Sequence, residues 1–282
     1  MTPLGPNAIL SAEDAEFVDQ MALIDSEIVR KEDILKEALT LAEPGRDEHL
    51  AALAEAGVRR TFEFMLQATQ QLLPQQLQRD QRVYVVYLRD SIGFGRRYEQ
   101  AVEQKDLVAA HLDTIALLVA RAKMLTNVSA LFCERTFAAD SKALCDSSEP
   151  PGGSYGAALR PIFRQLSSEF LPNIEFFPSQ YSPEEAASAF ASLLDSRLIS
   201  TVQRAYESVQ ALNPPARLRL DHDRITRYLA DTLDAALTMG ATTENQNISA
   251  DVDFGAYARL RNDAANDLSA EAKAIAAPYF HE

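Results

Sequence analysis

From Phe17 onward the apolar residues return at alternating steps of four and three: Phe17, Met21, Ile24, Ile28, Leu35 and Ala38. Only Lys31 interrupts this heptad seam, and a period near 3.5 suits one face of a helix and no strand. The chain around it favours the same geometry. Forty-four alanines stand against 10 glycines, tryptophan is absent, and most prolines fall between the periodic segments. Alanine is the best helix former, so composition and periodicity agree on an all-α fold.

The start of the first helix is marked by Ser11 with Asp14, a capping box with Asp in place of the usual Glu, and Pro44-Gly45 closes it. A second helix is expected from about Asp47 to Leu73. A third runs from about Gln75 to Gln104, and a fourth from Asp106 to about Leu144. The run Val83 to Leu88, VYVVYL, has strong strand propensity. Leu77, Tyr84, Leu88, Ile92, Tyr98 and Val102 carry a helical stripe across it, so it reads as helix. Four long helices with short connections make an up-down bundle spanning residues 1–145. Residues 146–156 carry DSSEPPGGSYG, the strongest helix-breaking stretch, and read as a Pro/Gly/Ser linker. Residues 157–282 read as a smaller helical bundle with shorter segments, Ser269 starting a last short helix. Whether the two bundles pack as one unit is open from the pattern, and no repeat of fixed period emerges.

Charge narrows the partners. Forty-one acids against 27 bases give a net charge of −14. Such a surface repels phosphate backbones and anionic lipid headgroups, so nucleic-acid binding is not expected. No apolar run approaches the ~18 residues of a membrane span, so neither is membrane insertion. The N-terminus lacks the basic and apolar regions of a secretory signal, which points to a soluble, cytoplasmic protein or to export by a route independent of a signal peptide. Cys133 and Cys145 are the only cysteines. On one continuous helix they would lie ~18 Å apart, too far to bond, which suits reduced thiols.

Metal-site and nucleotide-loop signatures are missing. None of the four histidines follows a glutamate by three residues, as di-iron bundles require, and there is no His-Glu-x-x-His or P-loop. The expectation is therefore no metal and no cofactor. His111 lies in an apolar stripe and reads as a core histidine. In RLRLDHDRITR, Arg217 to Arg227, the charges fall at i,i+4 and read as a salt-bridged helix face.

Two functional readings follow. In the first, the chain is a non-enzymatic, coiled-coil-like interaction module (an adaptor, effector or assembly subunit) that binds another protein or itself. Its candidate contacts are Phe17, Met21, Ile24 and Ile28 on the seam, and Phe176, Phe177 and Tyr181 on an apolar loop. In the second, it is an all-α enzyme or a small-ligand or anion binder, with Arg217, His222, Arg224 and Arg259 lining a pocket in the second half.

Overall fold

The computed structural model describes residues 8–40, 48, 50–52, 54, 57–145, 151–175, 198–244, 255–277 and 279–280. Every regular element among them is a helix, so the fold is all-α. The chain divides into two compact units, Met1–Ser148 and Glu149–Glu282.

Unit 1 opens with α1, Ala12–Thr40. Ser11 Oγ accepts the Asp14 N–H at 3.1 Å and donates to the Asp14 carboxylate at 2.7 Å, closing the expected cap. Asp14 is fully buried and also accepts the backbone N–H groups of Gln76 and Leu77, at 3.0 and 3.2 Å. A single carboxylate thus secures the start of α1 and the entry to α3, where free N–H groups and the helix dipole favour an anion.

The second helix does not run unbroken from Asp47. Gly57 takes a left-handed conformation, φ 70°, which a helix cannot contain, and α2 spans Val58–Gln71. The third, α3, spans Gln78–Glu103 and stays helical through Val83–Leu88. Tyr84, Tyr87, Leu88, Ser91, Gly95 and Tyr98 face inward at helical spacing, so burial of that stripe overrides local strand propensity.

The expected fourth helix is three helices. The first of these, α4, covers Leu107–Asn127 and stops where Val128 turns extended. Ser129 then caps α5, Ala130–Thr136, by accepting the Phe132 N–H at 3.3 Å. Ser129 in turn donates its own N–H and its hydroxyl to Asp80 of α3, at 2.6 and 2.9 Å. After a second turn at Phe137, α6 covers Ala139–Cys145. These two turns bring the cysteines back together. Their Cα atoms lie 6.0 Å apart and their sulfurs form a disulfide, which overturns the expectation of reduced thiols.

Unit 2 contains α7 (Gly153–Glu169), α8 (Leu171–Glu175), α9 (Leu198–Gln210), a 3-10 turn (Ala216–Leu218), α10 (Arg219–Glu244), α11 (Gly255–Asp267) and α12 (Ala270–Ala276). Gly153 to Gly156, expected in the linker, form the first turn of α7. A side chain on Gly156 would overlap the Pro151 carbonyl, so glycine is required there. Phe163, Tyr228, Tyr279 and Phe280 form an aromatic core.

The two units repeat one plan. Pro74, Leu77, Asp80, Tyr87, Leu88 and Asp90 recur 141 residues on as Pro215, Leu218, Asp221, Tyr228, Leu229 and Asp231. The buried stripe Val58, Phe62, Met65, Thr69 of α2 recurs as Leu198, Val202, Ala205, Val209 of α9. Bonding recurs too. Asp221 accepts the N–H and hydroxyl of Ser269 at 3.0 and 2.7 Å, while Ser269 Oγ accepts the Ala272 N–H at 3.2 Å and caps α12. This is the Asp80–Ser129–Phe132 arrangement again. The buried face of α1 (Phe17, Val18, Met21, Asp25, Ile28, Glu32) matches that of α7 and its C-cap (Tyr155, Gly156, Leu159, Phe163, Leu166 and then Phe170). The offset drifts between 138 and 141 residues along the chain, and many matched positions differ in residue type, so a fixed-period reading misses the repeat.

Asp80→Ala and Asp221→Ala should each lower stability by about 1–3 kcal/mol, because each strands a serine N–H and hydroxyl against a short helix start. Urea midpoints of the full chain, with hydrogen exchange to assign the loss to one unit, check this. Losses under about 0.5 kcal/mol would show the latches to be incidental.

Candidate functional site

Among the described residues, a dense arrangement of ionisable groups lies inside unit 1. Arg121 comes from α4, and its side chain is 6% exposed. It faces α1, where Asp25 and Glu32 occupy two inward positions two turns apart, with side chains 3% and 2% exposed. Arg121 Nη1 and Nη2 donate to the two Asp25 oxygens at 2.8 and 3.0 Å, a bidentate fork, and Nε reaches Glu32 at 2.9 Å. The Tyr84 hydroxyl donates to Asp25 at 3.2 Å and the Tyr87 hydroxyl to Glu32 at 3.2 Å. Ser141 of α6 lies 3.4 Å from Nη2, and the Phe137 ring lies 6.0 Å from the guanidinium. A planar, permanently charged fork is the group suited to holding two carboxylates at once.

Charge in this cluster does not balance. One cation meets two acids. Burial pushes the Glu32 carboxyl above its ordinary value, a rise that the charges of Arg121 and Lys36 only partly offset and that Asp25 reinforces. The same desolvation drives the hydroxyls of Tyr84 and Tyr87 well above the ordinary tyrosine value, so both remain donors. The donors and acceptors are turned on one another, so the arrangement joins α1, α3 and α4 and offers no open position to a substrate.

The seam residues fall in the interior. Phe17, Met21 and Ile28 are 1%, 0% and 1% exposed, and Ile24 is half-buried. Phe17 stacks on Phe132, and Thr69 touches the Met21 sulfur. The seam is therefore occupied by the chain's own bundle, with Asp25 and Glu32 taking the inward places beside Ile24 and Lys31. Phe176, Phe177 and Tyr181 lie outside the described residues.

In unit 2 the expected anion-binding residues turn to separate neighbours. Arg217 pairs with Glu271 at 2.9 Å, and Arg224 donates to the Asp267 backbone carbonyl. His222 Nδ1 lies 3.1 Å from the Tyr155 hydroxyl. Burial lowers the His222 pKa and raises that of Tyr155 to about 12, which leaves a neutral histidine beside a protonated tyrosine at neutral pH. Arg259 lies exposed on α11. Asp221 accepts from Ser269 and also lies 3.9 Å from Arg224. His111 is buried, as expected of a core histidine.

Among the described residues, no three His, Cys, Asp or Glu side chains are placed to hold a metal ion, and no helix is long and apolar enough to cross a membrane. Compared with known proteins, the chain matches no family model, no curated protein and no solved structure.

Sequence reasoning missed Asp25, Glu32, Arg121 and the two aspartate–serine latches. Val18, Asp25 and Glu32 stand seven apart beside the apolar seam, and Arg121 ends the most apolar stretch of α4. That register was the available signal.

Glu32 generates a pH prediction. A carboxyl whose folded pKa is raised supports folding below its unfolded pKa, and that support is lost as pH rises through the folded value. Glu32→Gln keeps an acceptor for Arg121 and cannot ionise. Its stability relative to wild type should therefore climb as pH rises from about 4 towards neutrality. Urea titrations of both proteins across that window check the sign, and a parallel pair of curves would contradict it.

Proposed function

We propose that the chain is a helical protein-interaction module whose partner is another protein or a second copy of itself. The observation that carries this reading is Phe64, 71% exposed in the middle of α2. Leu23 on α1 and Val86 on α3 are likewise exposed, at 67% and 55%. Burying a large apolar side chain against a partner releases roughly 1.5–3 kcal/mol, and rigid aromatic anchors carry a large share of interface energy. The interior supports the same reading, since Asp14, Asp25, Glu32, Asp80, Arg121 and Asp221 all serve helix ends or the core.

The Cys133–Cys145 bond bears on location. Disulfides persist in oxidising compartments, so it supports maturation outside the reducing cytoplasm.

Phe64→Ser should leave the melting temperature within about 2 °C of wild type, because an exposed position contributes little to the core. Sedimentation of the full chain over a range of concentrations, with cross-linking to any co-purifying protein, should show association weakened at least tenfold. Unchanged association, or cross-links that avoid Leu23, Phe64 and Val86 altogether, would remove the basis of the proposal.

A further inference from the structure

We propose that the Cys133–Cys145 disulfide is a redox-sensitive latch that holds α6 closed over the buried Arg121 cluster. Three observations converge on it. The bond ties α5 to α6 across the turn at Phe137, with both cysteines buried at 3% and 2% exposure. The tied segment is also what covers the guanidinium, through Ser141 of α6 at 3.4 Å and the Phe137 ring at 6.0 Å.

The third observation is an internal control. Unit 2 follows the same plan, with Ser129 and α5 matched by Ser269 and α12. There Lys273 stands where Cys133 stands, while Phe163 and Phe170 stand where Asp25 and Glu32 stand. Cys133 and the two buried acids thus have no like residue at the matching places of unit 2, while Arg261 keeps the place of Arg121.

The chemistry is thiol–disulfide exchange with a dithiol reductant. One thiolate of the reductant attacks a cysteine sulfur and the S–S bond breaks. Its electron pair leaves on the other cysteine, which takes up a proton. The second thiol of the reductant then releases the first cysteine, giving two protein thiols and one oxidised reductant. A helix of seven residues is far below the length that holds its shape alone, so α6 loosens once the tie is cut. Water then reaches Arg121, and Glu32 loses the desolvation that raises its pKa.

The test compares the full chain oxidised and after dithiothreitol, with thiol titration confirming two free cysteines. Hydrogen exchange in 137–145 should rise at least tenfold on reduction, and the Glu32 carboxyl titration, followed by carbon NMR, should move down towards the ordinary value. Protection in α2, α3 and unit 2 should remain. The Cys133→Ser/Cys145→Ser protein should match the reduced state under either condition. Unchanged exchange in 137–145 after full reduction would overturn the proposal. So would unfolding of the whole of unit 1, a Glu32 titration that stays in place, or cysteines that resist dithiothreitol in the folded protein.

Discussion

An arginine inside a helical core is tolerable only when its fork is filled, and in unit 1 the filling comes from another helix. Arg121 reaches from α4 to Asp25 and Glu32 on α1, and the tyrosines that complete those carboxylates come from α3. Three helices are thereby fixed in rotation and register. Sliding α1 by one residue would turn both acids out of the fork and leave a buried cation, at a cost of several kcal/mol. Apolar packing alone is more forgiving, because residues of similar size can exchange places in a core. The buried ions thus set the alignment, and Phe17, Met21 and Ile28 fill the space that alignment defines.

Capping follows from the same economy of buried charge. Asp14, Asp80 and Asp221 each lie inside the protein, and each accepts backbone N–H groups from a distant segment. A buried carboxylate is acceptable when donors surround it, and a helix start has donors to spare. Long-range connections that in other folds come from sheet hydrogen bonds are made here by aspartates at helix ends. Recurrence in both units identifies the Asp–Ser latch as part of the shared plan, whereas Phe163 and Phe170 of unit 2 stand at the places of Asp25 and Glu32.

Much of the architecture was legible in the sequence, for reasons that differ by element. The capping box at Ser11 and the stripe through Tyr84 and Leu88 depend on local spacing, and both form as read. The breaks at Gly57 and Val128 were not legible. The first depends on one left-handed residue, and the second on Asp80, 49 residues from Ser129. Because the break at Val128 went unseen, the cysteines were placed on one helix and their bond was missed. Phe17, Met21 and Ile28 are buried in the chain's own core with Ile24 packed half-buried against it, and Arg217, His222 and Arg224 have separate neighbours. Spacing along a helix identifies which face is apolar, but not whether that face meets its own bundle or a partner.

The most direct test of the central claim compares Arg121→Met with the triple variant Arg121→Met/Asp25→Leu/Glu32→Leu. Urea unfolding of the full chain, with hydrogen exchange to isolate unit 1, gives the stability of each. If the cluster is one interdependent device, the single change strands two buried carboxylates and should cost about 3–5 kcal/mol, while the triple change should recover most of that loss. A single change costing under about 1 kcal/mol, or a triple variant at least as unstable as Arg121→Met, would contradict the account.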